Sequence, residues 1–439
     1  MPFYIELTDR RYVASMISSK VYPSFHVKFS VVIPTRNRLE YLKSAVSSVL
    51  RQDYDNWELV ISDNDSSENI QEYVLSLHEP RIKYSRSEEF ISVTKNWNRA
   101  IDLSTGDYVI LIGDDDCLMQ SAFSIVYKII KEHSCPELIF ANGLMYVYPG
   151  VFPYFPSGHL TTIGNWNLWN SELPVLLKPE QMQKLANEAM NFRLPFSYNM
   201  QVLTVHKSLI ERLRYKDQFF HSPYPDFYAM TLLMQKANTT IGCPYPLAIV
   251  GMSPKSYGGQ FFNNNEKKSI DELHVEKESN EYPELDEIIF PGTQFNTCWL
   301  YALSSVQKNF PSVANCEINY ARYRELQLFE SLHNMVSLPF QFNSLFTLYK
   351  HMSLLEKLKF MQRLLHVKLV GFLRRLFRTG RIRSKLDDIR MKLDVHPGHI
   401  NYEFKGSYSS ILDVFDKITP LECKNHFQNF TPKELAKFL

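Results

Sequence analysis

No run of apolar residues in this 439-residue chain approaches the roughly 20 that cross a bilayer, so no membrane-spanning helix is expected. Excess charge of either sign is also missing. Lys and Arg number 48 against 47 Asp and Glu, a net charge of +1, and no global field argues for a nucleic-acid partner. Cysteine is sparse and shows no paired spacing. Cys117, Cys135, Cys243, Cys298, Cys316 and Cys423 read as free thiols of a reducing compartment. The opening MPFYIELTDRRYVASM carries acidic residues early and has no apolar signal core, so no signal peptide is expected and a cytoplasmic location is. No GxxxxGK[ST] phosphate loop occurs, which leaves a P-loop NTPase without support. No solenoid-type repeat stands out.

What is present is an ordinary globular balance, 45% apolar and 22% charged, with a length that suits two to three domains. Aromatic residues make up 14%, which suits concave sites and interfaces and equally suits an aromatic core. The first half is well punctuated. FSVVIP (29–34), WELVIS (57–62), RIKYSR (81–86) and DYVILI (107–112) read as strands. Between them, EYLKSAVSSVLRQ (40–52) places Leu42, Ala45, Val46, Val49 and Leu50 on one helical face. SENIQEYVLSLH and VTKNWNRAIDLSTG read as further helices, the second stopped by Gly106. Strands alternating with helices predict an α/β fold with a mostly parallel sheet, whose ligands bind beyond the carboxyl ends of the strands.

Three polar loops fall at such ends: PTRNR after the first strand, DNDSS after the second and GDDD after the fourth. Adjacent Asp114, Asp115 and Asp116 repel one another, and a divalent cation such as Mg2+ or Mn2+ would offset that repulsion. A solvated turn capping the next helix, LMQSAFSIVYKIIKEH, accounts for the same residues. Asp63 to Asp65 likewise read either as ligand contacts or as a plain Asx-turn.

The order of these motifs resembles the opening of family 2 glycosyltransferases with the GT-A fold. FSVVIPTRNRLEYLKSAVSSVLRQDYDNWELVISDNDSSE looks like their first two strands, and STGDYVILIGDDDCL looks like their acidic metal motif. The resemblance is close over residues 28 to about 130. It implies an inverting transfer of a sugar from a nucleotide sugar, most often a UDP-sugar, to a hydroxyl of a glycan or lipid-linked acceptor in surface polysaccharide synthesis. It places Pro34, Thr35, Arg36 and Asn37 at the nucleotide, with Arg36 where many members have Tyr. It puts Asp63 on the uracil or ribose with Asn64 beside it, Lys95 near the family's basic residue, and Asp114 next to the donor. Asp115 matches the principal metal carboxylate, with Asp116 beside it. Gly113 stands where Asp is commoner. Asp226, before an apolar helical run, matches the usual general-base position, and an N-cap explains the same residue. A non-catalytic nucleotide- or glycan-binding relative is the alternative. A nucleotidyltransferase is a third reading, weakened by the absence of Gly from PTRNRLE.

Farther on, 192–214 suggests a strand and then a helix, and GMSPKSYGGQFFNNNE (251–266) a flexible Gly-rich loop that closes over a ligand. The domain plan read from these signals is an N-terminal extension at 1–27, a catalytic domain at 28–265, a polar linker at 266–289 and a helical C-terminal domain at 290–439. HVKLVGFLRRLFRTGRIRSK (366–385) interleaves basic and apolar residues, the pattern of a helix lying on an anionic membrane. The expected partners are a nucleotide-sugar donor, a glycan or lipid-linked acceptor, the inner face of a membrane through 366–385, and a second copy through the C-terminal helices.

Overall fold

The computed structural model describes residues 26–152, 157–163, 171–193, 198–262, 294–311, 317–337, 346, 349–376, 404–405 and 407–427. The elements of the first part run β1 (Phe29–Thr35), α1 (Leu39–Leu50), β2 (Trp57–Asp63), α2 (Ile70–Ser76), β3 (Ile82–Arg86), α3 (Val93–Asp102) and β4 (Tyr108–Leu111). Then come β5 (Cys117–Leu118), α4 (Ala122–Glu132), β6 (Leu138–Val147), β7 (His159–Thr162), β8 (Val175–Leu177) and α5 (Pro179–Met190). The middle closes with β9 (Leu203–His206), α6 (Lys207–Arg212), α7 (Pro225–Lys236), β10 (Thr240–Met252) and α8 (Tyr257–Phe262). Helices α9 (Gln294–Asn309), α10 (Tyr320–Ser337), α11 (Leu354–Leu376) and α12 (Ile411–Lys417) follow.

The strands form one sheet in the order β3-β2-β1-β4-β9-β6-β10-β5, with β7 on β6 and β8 on β10. β1 to β4 are mutually parallel, and so are β6 and β10; β9 runs antiparallel between β4 and β6. The expected α/β architecture, a mostly parallel sheet flanked by helices with a helical C-terminal region, is what forms. Alternation along the strands explains why they read as continuous apolar runs. Val31, Ile33, Leu59 and Ile61 share a cluster with α1 and α4, while Val32, Val60, Val109 and Leu111 share one with α3, α5 and α7, so both surfaces are buried. Each such side chain contributes about 1.5–3 kcal/mol.

Two local expectations are corrected. The helix expected from Leu118 begins at Ala122, because Cys117 and Leu118 pair with β10 as a short antiparallel strand. The acidic run therefore does not cap that helix. The flexible loop expected at 251–266 is largely ordered: β10 runs through Gly251 to Met252, and α8 starts at Tyr257. Residues 263–266 and the linker at 266–289 lie outside the described residues, as does the extension up to residue 25.

The helices beyond residue 290 share the core of the sheet. Trp299, Leu300 and Leu303 of α9 and Tyr323 of α10 join the cluster that contains β9 and α7. The end of the chain also returns. Tyr408, Ile411, Val414 and Phe415 pack on Cys117, Met119, Leu144 and Tyr146. Gln120 donates to the Phe415 carbonyl, Arg51 pairs with Asp416, and the Tyr146 hydroxyl donates to the Tyr408 carbonyl at 3.1 Å.

Candidate functional site

Parallel register brings the first two polar loops together, because Thr35 at the end of β1 lies opposite Asp63 at the end of β2. β4 lies on the other side of β1, so its acidic continuation reaches the same edge. Asp114, Asp115 and Asp116 are 3%, 6% and 1% exposed, which rules out the solvated turn. Three buried carboxylates need compensation, and the structure supplies it unequally.

Asp114 is held on both oxygens. Thr35 Oγ1 donates to Oδ2 at 2.7 Å and Arg38 donates to Oδ1 at 3.1 Å. Burial pushes the Asp114 carboxyl above the usual carboxylate range, and the Arg38 charge opposes that. Both oxygens of Asp116, the second carboxylate expected at the ion, accept backbone amides, from Gly113 at 2.5 Å and Gly251 at 2.7 Å. Burial and the neighbouring Asp115 push Asp116 up to about 7 against those two bonds. Asp115 accepts from the Ser253 amide at 3.3 Å on Oδ2, and its carbonyl accepts from Tyr148 at 3.1 Å. Its Oδ1 accepts no hydrogen bond among the described residues. Gly113 is required for closeness and not for a turn: a Cβ there would lie 2.9 Å from Asp116 Oδ2 and 3.2 Å from Asp115 Oδ1.

The loop after β1 is clasped to the loop after β10. Arg38 donates to the Lys255 carbonyl, and the Lys255 ammonium donates to the Asn37 carbonyl at 3.1 Å. Asn37, at φ 53°, accepts from the Ser67 amide at 2.7 Å and so ties this loop to the next. Asn64 clamps Ile91, accepting from its amide at 2.9 Å and donating to its carbonyl at 2.8 Å. Asn37 and Asn64, both expected at the nucleotide, thus use their side chains to shape the loops. Asp63 lies in the fully buried β2; its Oδ1 accepts from Ser66 at 3.0 Å and its Oδ2 from the Tyr84 hydroxyl at 2.6 Å. Its Oδ1 thus holds the backbone three residues on, at the strand end that lies opposite Thr35. Pro34 pairs in register with Ser62. The Arg36 guanidinium lies 3.7 Å from the centre of the Phe90 ring. Lys95 is exposed in the first turn of α3 and forms no ion pair among the described residues.

Among the described residues, Arg36 Nε and Ser253 Oγ near these loops are buried without hydrogen-bond partners. Native interiors seldom leave such atoms unsatisfied, so both fit contacts to a polar ligand. Among the described residues no three His, Cys, Asp or Glu side chains converge on a metal-sized point.

Asp226 occupies the second position of α7, after Pro225, and the N-cap is Tyr224. It is half-buried and accepts from the adjacent Phe227 amide at 2.9 Å. Burial pushes its carboxyl up to about 6, and no cation pairs with it among the described residues. Its helix is tethered to α3: Thr94 donates to the Ser222 carbonyl at 2.6 Å, and Asn98 accepts from the Phe219 and Phe220 amides at 3.0 and 2.9 Å. His221 is held by the Tyr215 and Gln218 carbonyls, a structural role. Sequence reasoning passed over Arg38 and Tyr148, and named Gly251 and Ser253 only as part of the loop at 251–266. Arg38 was visible as the second cation of PTRNR; Tyr148 carries no local signal.

The family model for glycosyl transferase family 2 matches residues 30–176. The chain is 32% identical over 121 residues to the GalNAc(5)-diNAcBac-PP-undecaprenol beta-1,3-glucosyltransferase of Campylobacter jejuni, covering 27% of this chain and 38% of that one. It is 33% identical over 87 residues to the UDP-Glc:alpha-D-GlcNAc-diphosphoundecaprenol beta-1,3-glucosyltransferase WfgD of Escherichia coli, covering 20% and 34%. The chain spans less than half the length of the curated relatives it matches. Among solved structures, Staphylococcus aureus TarS 1–349 in complex with UDP aligns over 84% of this chain and 88% of that one, at 14% identity and a TM-score of 0.42. By its family-model match, the part of the chain that carries the three strand-end loops, residues 30–176, is a glycosyl transferase family 2 domain.

Proposed function

We propose that this protein is an inverting, metal-dependent glycosyltransferase of GT-A architecture. It moves a sugar from a nucleotide sugar, a UDP-sugar, to a hydroxyl of a lipid-linked glycan in surface polysaccharide synthesis. The observation that carries the reading is the unequal triad: Asp114 and Asp116 are held by protein donors on both oxygens, while Asp115 takes only the Ser253 amide on Oδ2 and, among the described residues, keeps Oδ1 open. The names of two relatives, which specify undecaprenol-linked acceptors, support the acceptor class.

The residues present fit a divalent ion. Mg2+ and Mn2+ take one or two protein carboxylates and fill the remaining positions with phosphate oxygens and water, and Asp115 supplies such a carboxylate. When bound, the ion would supply Lewis-acid neutralisation of the charge that develops on the departing diphosphate. The chain's own residues do the rest. Thr35 and Arg38 fix Asp114, and through it the position of Asp115. Arg36, over the Phe90 ring, offers its Nε to the nucleotide. Asp226 accepts the proton of the acceptor hydroxyl while that oxygen attacks the anomeric carbon opposite the nucleotide, which inverts the centre. A carboxyl at about 6 is ionised at neutral pH and more basic than an ordinary Asp.

The test is thermal denaturation with UDP, GDP, dTDP and CDP, each with and without Mn2+, on the natural protein and on Asp115→Asn. A ligand at a hundredfold its Kd stabilises the native state by about 2.7 kcal/mol. The expected result is a manganese-dependent rise with UDP that Asp115→Asn loses while melting normally alone. No shift with any nucleotide would overturn the reading.

A further inference from the structure

Helix α11 is 23 residues long, about 34 Å. Leu354, Leu358, Leu365, Leu369, Phe372 and Leu376 recur along it at helical spacing and are 55–74% exposed. At 100° per residue they fall in one stripe. The opposite side seats the helix. Phe360 and Val370 are buried, Arg324 of α10 pairs with Glu356, and Arg363 pairs with Glu325 of α10 at 2.9 Å. The stripe is therefore the side turned away from the fold.

Its charge selects the occupant. The helix sequence contains Lys357, Lys359, Arg363, Lys368, Arg374 and Arg375 against a single acid, Glu356. By helical position Lys357 and Lys368 border the stripe, and Lys368 is exposed. Cations on the border of an apolar face suit a surface that is oily below and anionic above. Two copies meeting stripe to stripe would instead bring two cationic helices together. No helix among the described residues is long and apolar enough to cross a membrane, so this one would lie in the surface plane.

We propose that the exposed face of α11 docks the protein on an anionic phospholipid bilayer. The apolar face begins at Leu354, twelve residues before the basic stretch expected at 366–385, whose residues 377–385 lie outside the described ones. The proposal extends the lipid-linked acceptor reading by naming the surface on which that acceptor is met, and its test uses neither nucleotide nor acceptor.

The full chain is floated with vesicles of phosphatidylcholine alone and with vesicles containing one-third phosphatidylglycerol. Binding is expected to the anionic vesicles only and to weaken at high salt. Leu365→Ser combined with Leu369→Ser is expected to lower the partition coefficient at least tenfold. Lys368→Gln is expected to lower it about fivefold, the worth of one cation near such a surface. Both changes are on exposed positions, and unchanged melting verifies the fold. Absence of binding to anionic vesicles, or binding that the double variant leaves unchanged, overturns the proposal. So does a solution dimer that the double variant converts to a monomer, since that gives the stripe to a second copy. The donor-site reading is judged separately, by the lipid-free melting shift with UDP.

Discussion

Gly251 offers the sharpest perturbation of the acidic loop. A Cβ at this position would lie 1.8 Å from the Asp115 carbonyl oxygen and 2.6 Å from its carbonyl carbon. Both are backbone atoms, so no side chain can swing aside. Restoring an ordinary 3.4 Å contact means parting β10 from the loop by about 1.6 Å. Such a shift stretches the Gly251 amide bond to Asp116 from 2.7 Å to beyond bonding range and also strains the Ser253 amide contact to Asp115. Overpacking costs about 1–3 kcal/mol. The lost hydrogen bond adds about 1 kcal/mol. Gly251→Ala is thus expected to melt roughly 4–16 °C below the natural protein, at about 2–4 °C per kcal/mol. Displacing a reacting group by 1 Å costs on the order of 100-fold in rate, so turnover should fall by at least that factor. The control lies seven residues on. Gly258→Ala meets only the Met252 methyl at 3.7 Å and should melt like the natural protein. Differential scanning fluorimetry with and without UDP and Mn2+ reads both variants. A Gly251→Ala protein that melts within a degree of the natural one and keeps its UDP shift would refute the account of the loop.

Two further expectations follow from the site. With Asp226 at about 6, kcat/KM should fall tenfold per unit as pH drops below about 6, and Asp226→Asn should lose that limb along with roughly 100–10,000-fold of the rate. The same shift has a stability sign: the folded state resists ionising this carboxyl, so its contribution is most favourable below the ordinary value near 4 and declines as pH rises from about 4 to about 6, a decline that denaturation of Asp226→Asn should lack. Arg38→Ala frees Asp114 and opens the clasp to Lys255. With about 1.5–3 kcal/mol in a charge-assisted bond, UDP affinity measured calorimetrically with Mn2+ should weaken roughly 10–100-fold; an unchanged affinity would remove Arg38 from the site.

The strands that carry the three polar loops were legible because they are buried on both faces and so read as short β-branched runs. The order of their three loops was legible for the same reason: each follows a strand directly. Which carboxylate stays open was not. That depends on Gly113, Gly251, Arg38 and Thr35, and the Gly251 amide comes from 135 residues beyond Asp116. The two-residue strand Cys117–Leu118 shows no period of its own, so it was absorbed into the following helix. Asn37 and Asn64 carry residue types equally suited to ligands and to turns, and their bonds to Ser67 and Ile91 have no signature in the sequence. The return of Tyr408 to Phe415 onto β5 has no local signature, because the pattern of a small amphipathic helix does not say what it will cover.

That return fixes a timetable. Ribosomes deliver the chain from its N-terminus at about 5–20 residues per second, and some 310 residues separate Cys117 from Phe427. For about 15–60 s after β5 emerges, Cys117, Met119 and Leu144 lack the side chains that will cover them. The acid-bearing turn just before β5 also waits for Gly251 during part of that interval. The half of the protein that is made first is therefore finished last, and during its synthesis it presents an apolar face suited to a chaperone.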